Sequence, residues 1–103
     1  MKVLWTLQAV EDLTSIRDYI ARDSQAYARL IVERLYNSVG QLSEYPDSGR
    51  IVPERNEPDI RELIRPPYRI IYHRQSETVT ILTVHHSSRE LPGHISGDTE
   101  DTA

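Results

Sequence analysis

The sequence predicts an α+β domain built as an N-terminal strand, an antiparallel helical hairpin and then a three-stranded antiparallel sheet, in the order β-α-α-β-β-β. Three observations carry that prediction. Apolar residues recur every three or four positions through residues 7–44, which is the helical period. From residue 60 the pattern changes to short β-branched runs over 60–65, 68–74 and 78–86, which read as strands. The runs are separated by Pro66-Pro67 and by residues 75–77, connections short enough for antiparallel hairpins. A chain of 103 residues forms one domain, expected over 1–92, followed by a flexible acidic tail over 93–103.

Taken in order, residues 2–5 read as a short strand in which Val3 and Trp5 alternate with Lys2 and Leu4. Thr6 is placed to cap a helix, since its hydroxyl can accept from a first-turn amide. That helix is expected over 7–22, with Ala9, Leu13, Ile16 and Ile20 on one face. Gln8, Asp12, Ser15 and Arg22 fall on other faces and are expected in solvent, with Asp18 and Arg22 forming an i,i+4 pair. Asp23 or Ser24 caps a second helix over 25–44, whose buried positions are Ala28, Ile31, Leu35, Val39 and Leu42. Two amphipathic helices joined this closely form an antiparallel hairpin. Gly40 weakens the second helix by about 1 kcal/mol relative to Ala. Tyr45-Pro46-Asp47-Ser48-Gly49 then ends it with turn chemistry. Residues 50–59, with Pro53 and Pro58, read as a loop.

Composition excludes several classes of function. The absence of Cys removes disulfides and thiolate metal sites. No stretch approaches the roughly 20 apolar residues of a membrane span. The N-terminal residues do not read as a secretory signal, so a cytoplasmic location is expected. The net charge is −4, and its distribution is uneven. Residues 7–48 hold seven acids against four Arg, residues 49–92 six acids against seven Arg, and residues 93–103 three acids and no base. That balance argues against bulk nucleic-acid binding, which needs a clearly basic face.

The candidate chemistry lies in residues 61–89. Arg61, Arg65, Arg69, Arg74, Arg89, His73, His85 and His86 are set among the strand residues. By alternation Arg69, Ile71 and His73 share one face of the middle strand, and Tyr68, Ile70 and Tyr72 the other. On the last strand Leu82, Val84 and His86 oppose Ile81, Thr83 and His85. Convergence of Arg61, Arg69 and His86 on one open face would make an anion-recognition site. The competing reading pairs these Arg residues with the interleaved Glu54, Glu57, Glu62 and Glu90, which makes them structural. His85 and His86 are adjacent on a strand and point apart, so a shared metal is not expected. No phosphate loop, nucleophile elbow or H-E-x-x-H is present, and no cofactor is expected. The six tyrosines read as core and rim.

The order of elements and four local motifs resemble the ParE/RelE superfamily of toxins from bacterial type II toxin–antitoxin pairs. The matching stretches are Trp5-Thr6 through Asp12-Leu13 and Ile16; Tyr45-Pro46 with Gly49-Arg50 and Val52-Pro53-Glu54; Arg61-Glu62-Leu63 with Tyr68-Arg69-Ile70-Ile71-Tyr72; and Val84-His85-His86 with Arg89. The resemblance implies a helical hairpin on a small antiparallel sheet, and a cognate antitoxin whose C-terminal segment wraps the toxin. RelE-like members cleave mRNA on the ribosome, whereas ParE-like members poison DNA gyrase. As a metal-independent endoribonuclease, the chain would use Arg61 and Arg69 on phosphate, with His86 or Tyr72 in proton transfer. As a ParE-like plasmid-stabilisation toxin it needs no catalytic set. Arg50, Arg61, Arg69, His86 and Arg89 would then serve target or antitoxin recognition. The Gly49-Arg50 loop, the His86-to-Arg89 end and the acidic composition favour the ParE-like reading. An inactive, partner-binding module is the third alternative.

Overall fold

Thr6 takes an extended conformation and accepts a hydrogen bond from the Ala9 amide, so helix α1 (Leu7–Ala21) starts where the capping residue predicts. In the computed structural model, which describes residues 1–87, Ser24 does the same for helix α2 (Gln25–Ser38) through the Tyr27 amide. The second helix is shorter than expected. Its last turns tighten into a 3₁₀ segment, Val39–Ser43, which still buries Val39 and Leu42. Gly40 lies in this segment with open space around its α-carbon, so it serves no close approach.

The strands are β1 (Lys2–Trp5), β2 (Arg50–Ile51), β3 (Ile60–Arg65), β4 (Tyr68–Arg74) and β5 (Thr78–His86). They form one sheet in the order β1-β5-β4-β3-β2. The meander β3-β4-β5 is antiparallel as expected. Two features correct the expectation. The sheet has five strands and is mixed, because β1 joins β5 in parallel. Parallel neighbours need a long connection, and here the helical hairpin and strands β2, β3 and β4 all lie between β1 and β5. The stretch expected as a continuous loop begins with β2, which pairs its two residues with Arg61 and Glu62.

The sheet buries both faces unequally. Against the hairpin lies the main core, in which Ala9, Leu13, Ile31, Leu35 and Leu42 meet Leu63, Ile70, Tyr72, Ile81 and Val84. On the far face a smaller cluster joins Val52, Ile60, Ile71 and Leu82, so the 52–60 segment folds back as a cover. Strict alternation along β5 fails at a bulge. Ile71 pairs with Thr83 while Tyr72 pairs with Ile81, which leaves Leu82 as the extra residue. Consequently Ile81 and Val84 both serve the main core and Leu82 the smaller one.

Asp12 is a further correction. Expected in solvent, it is half-buried and accepts from the Thr83 hydroxyl and from the Val84 amide at 3.0 Å. A carboxylate on α1 thus satisfies backbone where the bulge disturbs the ladder. Nor do Asp18 and Arg22 pair: Asp18 bonds Arg17, and the Arg22 guanidinium lies 5.6 Å from the Tyr19 ring centre.

Candidate functional site

The far face of the sheet carries the strongest electrostatic feature among the described residues. Alternation on β3 puts Ile60, Glu62 and Ile64 on that face, and the cross-strand pair Ile64–Arg69 places Arg69 beside them. The Arg69 Nε donates to Glu62 Oε1 at 2.6 Å, and its two terminal nitrogens bond both Glu54 oxygens at 2.7 and 2.8 Å. Arg50 Nε bonds the other Glu62 oxygen at 2.5 Å. The side chain of Glu62 is fully buried and that of Arg69 only 9% exposed, whereas Glu54 and Arg50 are 47% and 61% exposed. The result is a ladder of alternating charge along the far face, with exposed ends at Arg50 and Glu54 and a buried centre at Glu62 and Arg69.

Arg69 holds the Glu54 carboxyl at a pKa of about 2, against an ordinary value of 4.5. Reciprocally, the hydrogen bonds that Arg69 donates to Glu54 outweigh burial and raise the pKa of Arg69. Burying a charged side chain is tolerated only when its hydrogen-bonding groups are met, and here Arg69 meets two carboxylates. A turn at residues 53–56 presents Glu54. It is closed by the Arg55 and Asn56 amides on the Val52 carbonyl, with Asn56 in the left-handed region at φ 51°.

Arg61 and Tyr72 form a separate assembly on the opposite face. The Tyr72 hydroxyl donates to the Pro46 carbonyl at 2.8 Å and accepts from the Gly49 amide at 3.0 Å. Its ring is fully buried, and that burial raises its pKa. Arg61 donates to the Gly49 carbonyl at 3.0 Å and sits 3.7 Å from Asp47, which also receives Arg74 at 3.0 Å. Together these side chains tie the 45–50 turn to the sheet. This is the physical content of the Tyr45-Pro46-x-x-Gly49-Arg50 motif.

Arg61, Arg69 and His86 do not converge on one open face, the condition for an anion-recognition site. Arg61 pairs with Tyr72 across the ladder and Arg69 with Ile64, so the two arginines occupy opposite faces. His86 pairs with Tyr68 at the far end of β4, its ring edge-on to the tyrosine at 5.6 Å. It lines a cleft of about 630 Å³ between α1 and the end of β5, with Asp12, Ile16, Tyr19, Tyr68 and His85. Arg50 reaches the far face, as described. Arg89 lies outside the described residues. Four of the six tyrosines, at 19, 27, 36 and 45, are exposed rather than core. Among the described residues no group of three or more His, Asp or Glu could hold a metal ion.

The competing sequence reading, which pairs the arginines with interleaved glutamates, holds for Glu54 and Glu62 on Arg69; Asp47, the acid shared by Arg61 and Arg74, was not among the acids it named. A signal for Glu62 was present: a lone acid on the same face as Ile60 and Ile64, inside an otherwise apolar strand, needs a cation beside it.

Residues 3–91 match the family described as the ParE toxin of type II toxin-antitoxin systems, parDE. The chain belongs to this ParE toxin family. Among curated proteins it is 38% identical to "Toxin RelE2" of Caulobacter vibrioides over 89 residues, which span 85% of this chain and 97% of that one. It is 41% identical to "Putative toxin Y4kP" of Sinorhizobium fredii over 93 residues, 88% and 93% of the two chains. Among solved structures it superposes on the chromosomal ParDE toxin–antitoxin system from P. aeruginosa with a TM-score of 0.69, at 25% identity, covering 84% of this chain and 95% of that one.

Proposed function

We propose that this ParE-family toxin arrests growth by inhibiting DNA gyrase in the cytoplasm, and that a cognate antitoxin silences it by folding a C-terminal segment onto its surface. The observation that carries the choice of target is the disposition of the basic residues. RNA cleavage without a metal needs a base, an acid and a cation on one phosphate. Here Arg69 is committed to Glu54 and Glu62, Tyr72 has its hydroxyl engaged twice, and Arg61 lies on the other face. An inhibitor acting by surface recognition requires no such set.

For the antitoxin, support comes from exposed apolar side chains on the hairpin, Leu7, Val10, Tyr27 and Leu30, and from the cleft between α1 and β5. An amphipathic segment can bury apolar surface of this kind. The relative named as a RelE toxin favours a second reading, ribosome-dependent mRNA cleavage with Arg61, Arg69, Tyr72 and His86 rearranged on the target.

Two assays on purified protein decide between them. Inhibited supercoiling with trapped cleavage complexes is the expected result. Cleavage of mRNA on ribosomes without any effect on gyrase would replace the proposal by the second reading. Induction without the antitoxin should stop growth; unaffected growth would leave only a partner-binding module.

A further inference from the structure

We propose that Arg69, backed by Glu62 and flanked by Arg50, is an exchangeable carboxylate-binding site, filled by Glu54 in the free chain and by an acidic side chain of a protein partner in the bound one. The proposal goes beyond the toxin reading and does not depend on which target is inhibited.

Three observations lead to it. The first is the division of labour within the guanidinium. Its Nε is fixed on buried Glu62, while both terminal nitrogens face Glu54 with the paired geometry a planar carboxylate satisfies. The site is therefore built from inside, and only its outer half is closed by Glu54. The second is that Glu54 can leave. Its side chain is half-exposed, and its turn is anchored without it, by fully buried Val52, by Ile60 and by the two amides on the Val52 carbonyl. The third is charge. With Glu54 withdrawn, Arg50 and Arg69 face the single charge of Glu62, leaving one net positive charge. One carboxylate neutralises this, whereas a phosphate dianion overshoots it.

The surroundings indicate where the replacement comes from. A recess of about 510 Å³ lies over the pair, lined by Arg50, Pro53, Glu54, Ile64, Arg69 and Ser87. Exposed Pro53 and Ile64 give it an apolar rim, which suits a polypeptide segment carrying an acid. A free small acid competes poorly with Glu54, because a tethered carboxylate acts at a millimolar or higher effective concentration. A docked partner presents its own carboxylate under the same advantage.

Chemical rescue tests this on the intact chain. Glu54→Ala vacates the outer half of the site. Acetate should raise its Tm by a few degrees at about ten times the dissociation constant, the gain then growing with the logarithm of acetate concentration. Chloride and inorganic phosphate at matched ionic strength should not. No acetate-specific gain would overturn the proposal, as would an equal response to phosphate. Should the Ala variant not fold, Glu54→Gln takes the same titration, read from the Arg69 Nε–H resonance; a saturable shift supports the site and an unchanged resonance overturns it. The wild-type chain identifies the source. Indifference to acetate up to about 100 mM supports a partner side chain, and saturation below about 1 mM would assign the site to a free small acid instead.

Discussion

Gly49 shows how one side-chain position governs a whole turn. A Cβ there would stand 2.6 Å from the Glu62 carbonyl oxygen and 2.6 Å from the Tyr72 hydroxyl. Neither neighbour can give way: the first is ladder backbone and the second is held by two hydrogen bonds. Gly49→Ala is therefore expected to destabilise by about 2–3 kcal/mol, seen as a lower urea midpoint at unchanged slope. A variant as stable as the parent would mean the turn is not latched as described. Glu54 supports a pH prediction. Its folded pKa of about 2 lies below the ordinary 4.5, so its pairing with Arg69 stabilises the fold above pH 4.5. That contribution is lost as pH falls from about 4.5 to about 2. Unfolding of wild type and Glu54→Gln, compared at intervals between pH 6 and pH 2, should show the gap narrowing through this window. A constant gap would contradict the ion pair, and added salt should shrink it, because Glu54 is half-exposed.

Elements were legible to the extent that their signals are local. Thr6 and Ser24 announce the helix starts because a cap acts within three residues. The meander β3-β4-β5 follows from β-branched runs and two short connections. The parallel β1–β5 pair was not legible, because it joins residues more than seventy apart and either sheet edge was open to β1. Strand β2 was hidden because two residues beside Pro53 carry no periodicity. The β5 bulge exchanged faces midway, so alternation assigned Val84 to the same side as Leu82. Asp12 belongs to this scale, since it links α1 to β5 by polar contacts, in addition to those the Thr6 cap makes to Ile81 and Leu82. Asp12→Ala removes the acceptor for the Thr83 hydroxyl and the Val84 amide. The expected loss is about 1–2 kcal/mol, with faster amide exchange at Val84. Ser15→Ala, on the exposed face of the same helix, should change neither, and equal effects from the two variants would refute the link.

At the scale of the whole molecule, charge is the property that most constrains function. The net charge is −4, and on the far face Arg50 and Arg69 are matched by Glu54 and Glu62. On the other face Arg61 and Arg74 share Asp47. Binding to nucleic acid gains affinity mainly by releasing counterions from phosphates that meet unpaired cations. A chain whose central arginines already have acidic partners releases few, and its overall field repels a polyanion. Wild-type protein is therefore expected to show no measurable retention of single-stranded RNA at about 150 mM salt, and only a shallow dependence of log K on log salt as salt is lowered. Glu54→Gln exposes part of the Arg69 fork and should steepen that dependence by at most about one phosphate contact. A slope of several contacts in the wild-type chain would show that the arginines leave their carboxylates when RNA arrives, and would move the balance from gyrase to the ribosome.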